Sequence, residues 1–371
     1  MNGTADVIVI GGGLHGCSAA LHLAMRGARV TVLEKDTVAR HASGVNAGGV
    51  RRLGRHPAEI PLADAAIKIW HRIAELVDDD CGFGASSQVK VGETEQEMKD
   101  MAARVEQVRA LGFDHEKIID RRELRERVPA VSEHCLGAIA VDGDGHANPF
   151  RTTRAFHRKG AALGVDFRQN TRMTGFARSA GIWTVETTNG SFQAPVMVNC
   201  AGAWGAEVAG GLGEPVPLSP EAFMLMITAR MAPFVTPVVG AWGRTLSFKQ
   251  FANGTVMMGG GHRGKAFPEA NRATVDFAGL AVSARTAATI FPIMKGATVV
   301  RAWAGIEGET PDKLPVIGPS GTEEGVVHAF GYCGHGFQIG PIVGRVVADL
   351  VTDGATDLPI EPFRIGRFNN S

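Results

Sequence analysis

Three glycines near the start of the chain have the spacing of a phosphate-binding loop. Gly11, Gly13 and Gly16 stand in VIVIGGGLHG, directly after a short apolar run. In such a loop the first glycine makes a tight turn, the second lets the backbone approach a pyrophosphate, and the third lets a helix pack on a strand. Glu34 follows about twenty residues later, where a carboxylate accepts hydrogen bonds from ribose hydroxyls and disfavours a 2′-phosphate. The spacing predicts a dinucleotide site with an unphosphorylated ribose.

This loop needs a strand on one side and a helix on the other. Residues 6–10 and 28–33 are runs rich in β-branched side chains, and residues 17–26, rich in Ala and Leu, are typical of a helix between them. Together they predict one βαβ unit. A chance turn is the alternative interpretation of the glycines, and the surrounding pattern disfavours it.

Further elements follow along the chain. Apolar spacing, a Thr94–Glu97 capping box and the Asn148-Pro149 pair predict helices, and a last helix closes the chain. These helices cover residues 62–77, 95–111, 149–163 and 336–353. The predicted strands lie within residues 165–204, which contain a Thr188-Asn189-Gly190 turn, and in residues 222–227, 245–251 and 254–259.

This order predicts an α/β (α+β) chain in which a doubly wound nucleotide domain is interleaved with a mainly antiparallel-sheet substrate domain. We assign residues 1–80, 145–215 and 300–371 to the nucleotide domain and residues 81–144 and 216–299 to the substrate domain.

The composition excludes several classes of partner. Lys and Arg number 38, as do Asp and Glu, so the chain carries no basic excess for nucleic acid. The 5 cysteines are scattered without a CxxC pair, which favours reduced thiols in a cytoplasmic protein and disfavours a metal site. No segment has the length and apolar character of a transmembrane helix.

Four separated motifs resemble those of the D-amino-acid-oxidase-like FAD-dependent oxidoreductases, the group that contains sarcosine, glycine and hydroxyproline oxidases and dehydrogenases. They are VIVIGGGLHG with VTVLEK, ASGVNAGGVRR, VNCAGAW, and GIEGETPDKLPVIGPSG with GYCGHGFQIGPIVG. The motifs span residues 7–344 in family order. The resemblance implies a Rossmann-like FAD-binding domain. It also implies non-covalent FAD, because members with tethered flavin carry a His near Asn46 or a Cys near Gly305.

The resemblance implies which residues bind FAD. The segment like residues 42–49 runs alongside the flavin, and the stretch like residues 334–338 lies at its pyrimidine edge, where a positively polarised helix N-terminus faces the ring. Simple capping of that helix is the alternative role for Gly334 and Gly336. The predicted FAD contacts are Gly11, Gly13, Leu14, His15, Gly16, Glu34, Lys35, Ser43, Gly44, Asn46, Ala47, Gly48, Gly49, Met173, Ala201, Gly202, Trp204, Gly305, Gly334, His335, Gly336, Phe337 and Gln338.

Candidate catalytic residues lie in the same motifs. We predict Arg52, Glu307, His335 and Gln338 for this role. An arginine is suited to a substrate carboxylate because its planar fork binds both oxygens. The candidates for that contact are Arg51, Arg52, Arg55 and Arg301. Glu307 is either a solvated loop carboxylate or an acceptor for a substrate ammonium or hydroxyl group.

Three positions depart from the patterns of particular family members. Glycine-oxidase-like members carry an arginine at Glu307, so that carboxylate contact is missing here. Sarcosine-oxidase-like members carry a lysine at Gln338 and another, associated with oxygen activation, near Met257. Both losses disfavour a plain sarcosine oxidase and favour an electron acceptor other than oxygen.

The resemblance implies oxidation of a C–N bond by hydride transfer to flavin N5, giving an imine. Within the family, the motifs are most similar to those of enzymes acting on secondary or cyclic amino acids such as cis-4-hydroxy-D-proline. The open alternatives are a sarcosine, glycine or D-amino-acid oxidase, an opine oxidase subunit, and the flavin subunit of a multi-subunit dehydrogenase. The implied partners are a small amino acid, an acceptor that is oxygen or a redox protein, and further subunits in the case of a hetero-oligomer.

Overall fold

The computed structural model describes residues 3–368 of the chain, and the predicted mixed α/β architecture is confirmed. The predicted domain ranges also include residues 1, 2 and 369–371, which lie outside the described residues. The helices are α1 (Leu14–Met25), α2 (Ala42–Val45), α3 (Ile60–Trp70), α4 (Ile73–Val77), α5 (Glu95–Ala110), α6 (Arg121–Arg127), α7 (Pro149–Ala162), α8 (Gly205–Gly211), α9 (Phe277–Ile290) and α10 (Gly336–Thr352).

The strands form three larger sheets and two small pairs. In chain order they are β1 (Gly3–Thr4), β2 (Val7–Ile10), β3 (Val30–Leu33), β4 (Gly49–Val50), β5 (Gln88–Gly92), β6 (Lys117–Asp120), β7 (Gly137–Val141), β8 (Gly145–His146), β9 (Asp166–Arg168), β10 (Met173–Ser179), β11 (Ile182–Thr187), β12 (Gly190–Ala194), β13 (Val196–Asn199), β14 (Ser219–Thr228), β15 (Val238–Ala241), β16 (Ser247–Gln250), β17 (Val256–Arg263), β18 (Lys265–Phe267), β19 (Arg272–Thr274), β20 (Val299–Glu309), β21 (Val316–Pro319) and β22 (Val326–Phe330).

The predicted βαβ unit lies at the centre of a six-stranded sheet with the order β21-β22-β13-β2-β3-β9. Strands β22, β13, β2, β3 and β9 are parallel, and only the edge strand β21 is antiparallel. β2 and β3 are buried along their whole length, as expected for β-branched strands covered on both faces. Because carboxyl ends of parallel strands meet at one edge, the glycine loop after β2, Glu34 after β3 and Cys200 after β13 come together there.

Helix α10 packs closely on α1 over one face of this sheet. Two glycines of α10 permit the approach: a Cβ on Gly340 would lie 2.5 Å from Leu14, and one on Gly344 would lie 2.1 Å from Ser18 Oγ. Apolar side chains of α1, α3 and α10 form the core beneath them. This packing aims the N-terminus of α10 at the carboxyl edge of the sheet.

A second, eight-stranded sheet has the order β20-β14-β17-β16-β15-β5-β7-β6, with all neighbours antiparallel except the parallel pair β15 and β5. A smaller sheet with the order β1-β12-β11-β10 carries the hairpin of β11 and β12, which turns at Thr188-Asn189. The large sheet supplies β5, β15 and β20 as the walls facing the carboxyl edge of the six-stranded sheet.

Most predicted elements agree with the structure and one differs, while several observed elements have no counterpart in the sequence prediction, among them α9, β5, β7, β15, β20 and β22. The helices starting after Thr94 and Asn148 carry the expected side-chain caps, with each cap oxygen accepting from the backbone N–H three residues on. The segment 62–77 forms two helices instead of one, because the Arg72 backbone (φ −126°, ψ 22°) leaves the helical region. β20 is a long strand in the eight-stranded sheet, and it begins at Val299, beside the domain boundary predicted at residue 300.

No helix within residues 3–368 is long and apolar enough to span a membrane.

Candidate active site

A cavity of about 820 Å³ lies between the two large sheets and the N-terminus of α10. This volume is within the range of cofactor and substrate sites, about 300–1,000 Å³. Its walls come from the glycine loop, from residues 39–49, from Cys200–Trp204, from the strands of the eight-stranded sheet and from residues 331–337.

The glycine loop has the conformation its sequence predicts. Gly11 has φ +104°, and a Cβ there would lie 2.4 Å from the carbonyl oxygen of Cys200, so a side chain is excluded both by strain and by space. A Cβ on Gly16 would lie 1.9 Å from the carbonyl oxygen of Gly11. The loop leads directly into α1, whose first backbone N–H, that of Leu14, donates to Ser43 Oγ at 2.9 Å. An N-terminus of this kind favours an anionic group.

Glu34 closes the loop from the adjacent strand. Its carboxylate accepts from the backbone N–H of Gly12 at 2.7 Å and from that of Asp36 at 2.8 Å. Burial raises the pKa of Glu34, while these two N–H groups oppose the shift. The residue lines the cavity at the end of β3, as a ribose contact requires.

A cationic side chain, Lys35, and an aromatic one, Trp204, lie beside Glu34. The ammonium of Lys35 lies 2.8 Å from the centre of the Trp204 ring and donates to Asn271 Oδ1 at 2.7 Å. Burial, followed by the charge of Arg172, lowers the pKa of Lys35 to about 8. The buried indole nitrogen of Trp204 has no hydrogen-bond partner within the described part of the chain. It is thus a donor left for a bound molecule.

The segment from Ser43 to Gly49 forms a second wall. Asn46 fixes it, since its amide donates to the carbonyl oxygens of Ala42 and Ser43 and accepts from the N–H of Gly48 at 2.7 Å. On the far side, Trp303 of β20 donates to the carbonyl oxygen of Val45 at 2.8 Å. A Cβ on Gly49 would have no protein atom within 4 Å, so this position is open towards the cavity.

The N-terminus of α10 carries Glu307 and His335. The backbone N–H of Gly334 donates to Glu307 Oε1 at 2.7 Å, and Glu307 lines the cavity. Burial raises the pKa of Glu307 to about 7. His335 Nδ1 lies 3.2 Å from Glu59 Oε2, and burial lowers the pKa of His335 to about 4, so the ring is neutral near pH 7. Next to them the ring of Tyr332 stacks on His15, with centres 3.6 Å apart.

Two residues predicted to be catalytic do not line the cavity. The Arg52 guanidinium forms an ion pair with buried Asp144 at 3.1 Å, so it is occupied outside the cavity. Gln338 is fully buried in α10, where its Oε1 accepts from Arg55 at 3.1 Å and its amide donates to the carbonyl oxygen of Ala63 at 2.8 Å. Both residues therefore support the walls.

Two cationic side chains line the cavity from β5 and from the segment after β4. Arg51 donates to the carbonyl oxygen of Leu53 at 2.6 Å, and burial together with the charge of Arg55 lowers the pKa of Arg51 to about 10. Burial and the charge of Arg51 lower the pKa of Lys90 to about 8. Sequence reasoning missed Lys90. The available signal was a lysine in the otherwise apolar run Val89 to Val91.

The other predicted residues fall into those that line the cavity and those that do not. Arg301 lies on the exposed start of β20, outside the cavity wall. Gly16 and Gly44 pack against neighbouring backbone and also do not line it. The predicted residues that do line it are Gly11, Gly13, Leu14, His15, Glu34, Lys35, Ser43, Asn46, Ala47, Gly48, Gly49, Met173, Ala201, Gly202, Trp204, Gly305, Glu307, Gly334, His335, Gly336 and Phe337.

These features fit FAD. One cavity is lined by an anion-favouring helix N-terminus, a carboxylate at the ribose position, an open glycine at residue 49 and the N-terminus of α10. The unpartnered indole N–H of Trp204 offers a further polar contact. Within residues 3–368 no group of three or more His, Cys, Asp or Glu side chains has the arrangement of a metal site.

Comparison with known proteins agrees with this geometry. The family model described as FAD dependent oxidoreductase (DAO) matches residues 6–350. The hydrogen cyanide synthase subunit HcnC of Pseudomonas aeruginosa is 28% identical, over 99% of this chain and 97% of that protein. The glycine oxidase of Geobacillus kaustophilus is 25% identical, over 98% and 97%.

Among solved structures, L-proline dehydrogenase from P. horikoshii superposes with a TM-score of 0.92 and 27% identity, over 100% of this chain and 99% of that one. The extent of the family match and the residues that line the cavity lead to one conclusion: the chain belongs to the FAD dependent oxidoreductase (DAO) family and is an FAD-dependent enzyme.

Proposed function

We propose that this enzyme oxidises the C–N bond of a secondary or cyclic amino acid, such as cis-4-hydroxy-D-proline, to an imine. The observation that carries the proposal is one cavity holding both a cationic pair, Arg51 and Lys90, and a carboxyl group with a pKa of about 7, Glu307. An amino acid presents the matching groups, an anionic carboxylate and an amine. The similarity to an L-proline dehydrogenase supports a secondary amine.

Each polar group has a defined task in this proposal. Arg51 holds the substrate carboxylate in the cavity wall that Lys90 also lines, because a cation deprived of solvent binds an anion strongly. Ionised Glu307 accepts a proton from the substrate ammonium at its free Oε2, and the N–H of Gly334 keeps the carboxylate oriented through Oε1. FAD, when bound, supplies the hydride acceptor.

The region around Glu307 is arranged to hold that proton near neutral pH. Burial disfavours its charged form, while the charge of Arg263 and the Gly334 N–H favour it. Neutral His335 adds no positive charge beside the amine, because burial lowers its pKa to about 4 although the neighbouring carboxylate of Glu59 favours the charged form. Phe223 and Leu225 of β14 contribute apolar surface to the cavity wall and limit access of water.

The alternative functions share this chemistry and differ in substrate or assembly. A sarcosine, glycine or D-amino-acid oxidase would use the same cavity with a smaller or primary amine. The similarity to a hydrogen cyanide synthase subunit supports a flavin subunit that passes electrons to a partner protein, and an opine oxidase subunit is a related case. Met257, at the position of an oxygen-associated lysine, supports an acceptor other than oxygen.

A substrate screen tests the proposal directly. The FAD-loaded protein is mixed without oxygen with D- and L-amino acids, N-methyl amino acids, prolines and hydroxyprolines, and the visible flavin band is followed. We expect rapid bleaching by a secondary amino acid and slower bleaching by its primary counterpart. Bleaching only by primary amino acids, or by none of the set, would contradict the proposal. A comparison of turnover with oxygen and with an artificial dye then identifies the class of acceptor.

A further inference from the structure

The charges around Arg51 and Lys90 do not balance. The neighbouring cations each have an acidic partner: Arg55 lies 3.5 Å from Glu59, Arg104 lies 2.9 Å from Glu116, Arg52 lies 3.1 Å from Asp144, and Lys68 lies 2.8 Å from Asp64. No carboxylate of residues 3–368 pairs with Arg51 or Lys90. Glu116, which acts on both side chains, and Glu59 and Asp144, which act on Arg51, are each paired with another arginine. The cavity wall therefore carries an excess of positive charge in a poorly solvated place.

The two cations are close enough to act on one molecule. A Cβ placed on Gly54 would lie 3.1 Å from Lys90 Nζ and 4.0 Å from an Arg51 guanidinium nitrogen. The repulsion between them contributes to the lowered pKa of Lys90. Two buried cations without a paired carboxylate are costly until an anion joins them.

The sheet directs Lys90 into the cavity and keeps it there. Lys90 pairs with Gly240 in the parallel ladder of β5 and β15, and the aliphatic stem of Lys90 lies against that glycine, whose missing side chain leaves the space. Gln88 and Val238, two residues earlier on the same face, also line the cavity. The ammonium of Lys90 has no hydrogen-bond acceptor among the described residues and lies 5.7 Å from the centre of the Trp242 ring.

We propose that the natural substrate carries two negative charges, as in a secondary amine that bears two carboxylate groups, and that Lys90 selects for the second one. This inference rests on the proposed oxidation of a secondary amino acid and narrows its substrate. Arg51 holds the first carboxylate, and Lys90 holds the second. The proposal ranks N-carboxyalkyl amino acids above singly charged substrates such as hydroxyproline.

Binding of unreactive acids tests this without turnover. FAD-loaded protein is titrated at constant ionic strength with propionate, which has one carboxylate, and with malonate and succinate, which have two, and changes in the flavin spectrum give the dissociation constants. We expect a dicarboxylate to bind at least about tenfold more tightly than propionate, the effect of one additional charged hydrogen bond. Equal affinity for the two classes would overturn the inference.

Variants assign the effect to Lys90. Lys90→Met keeps the aliphatic stem against Gly240, and we expect it to remove the preference for dicarboxylates while changing propionate binding by less than about twofold. Lys90→Arg should retain the preference, and Lys99→Met, on the exposed side of α5, should behave as wild type. An equal loss for both classes of acid in Lys90→Met would contradict the proposal. So would a shift in flavin reduction potential without any change in selectivity, because Lys90 would then act on the cofactor.

The binding experiments test the anion site separately from the proposed oxidation. A preference for dicarboxylates that depends on Lys90, in a protein whose flavin no amine bleaches, would sustain the anion site and refute the proposed function. Bleaching by a singly charged secondary amine at least as efficient as by its dicarboxylate analogue would sustain the function and refute the inference.

Discussion

Lys249 on β16 donates its ammonium to the carbonyl oxygen of Ala47, in the cavity segment between Ser43 and Gly49. The side chain is only 3% exposed, and burial lowers the pKa of Lys249 to about 7. Its partner across the strand ladder is Met257. The side chain of Lys249 therefore links the eight-stranded sheet to the cavity wall. Because its pKa is about 7, about half of these side chains are charged at neutral pH.

This link gives stability a particular pH dependence. Because the folded-state pKa of Lys249 is about 7 and its ordinary value is 10.5, the unfolded chain binds more protons between these limits, so the contribution of this group to stability grows as pH rises and is lost as pH falls towards 7. Urea unfolding at pH 7, 8 and 9 should show wild type gaining on Lys249→Met by up to about 1.4 kcal/mol per pH unit. Parallel pH profiles for the two proteins would contradict the assignment, and Lys99→Met serves as the control.

Glu307 should set the pH dependence of catalysis. Its pKa is about 7, and its ionised form is the one that accepts a proton, so kcat/KM should rise with pH through that region. Glu307→Gln can still accept from the Gly334 N–H, but it should lower kcat/KM by about 100-fold above pH 7 and remove this limb of the profile. If kcat/KM of Glu307→Gln still rose with pH through this region, the rise would belong to another titrating group. Exposed Glu324→Gln provides the matched control.

Gly49 should report on the position of the cofactor. A Cβ there meets no protein atom within 4 Å, and the backbone is not left-handed, so Gly49→Ala should fold normally. If FAD lies against this wall, the methyl group should lower FAD content, measured as the ratio of visible to ultraviolet absorbance, and raise the dissociation constant at least about tenfold. Gly175→Ala, which is equally free of protein contacts, should leave FAD binding unchanged. Wild-type affinity in Gly49→Ala would place the flavin elsewhere.

Replacement of Gln338 by lysine, the residue that sarcosine-oxidase-like proteins have at this position, should destabilise the protein. Gln338 Oε1 is bound to Arg55, which is 1% exposed, so Gln338→Lys would put two cations in contact away from water. We expect a loss of about 3 kcal/mol or more in the free energy of unfolding. Gln338→Glu, which keeps an acceptor for Arg55, should be better tolerated in the same thermal or urea unfolding measurement. A stable Gln338→Lys protein would show that Arg55 can move away.

The cofactor half of the site was largely predictable from the sequence. The glycine loop depends on contacts between neighbouring turns of one βαβ unit, and its spacing alone implies the positions without a Cβ. The same holds for the end of β3, since Glu34 directly follows the strand. Local caps such as Thr94 and Asn148 were equally clear, because each is defined within three residues.

The substrate half was not predictable in the same way. Arg51 and Arg52 are adjacent in the sequence and both were candidates, yet one lines the cavity and the other pairs with Asp144. Neither local propensity nor spacing distinguishes them, since their partners are supplied by distant strands. The long strand β20 was missed for a related reason, because its burial does not alternate: the strand is exposed at its start, half-buried in the middle and mostly buried at its end.

By itself, the sequence determined the βαβ unit, the dinucleotide loop and the family of the chain, because these are encoded in short-range spacing and in motifs that keep their order. Only the tertiary structure decided which charges face the cavity. That choice depends on β5, β15 and the segment after β4 meeting in space, where Arg51 and Lys90 line the cavity without a paired carboxylate from the described residues.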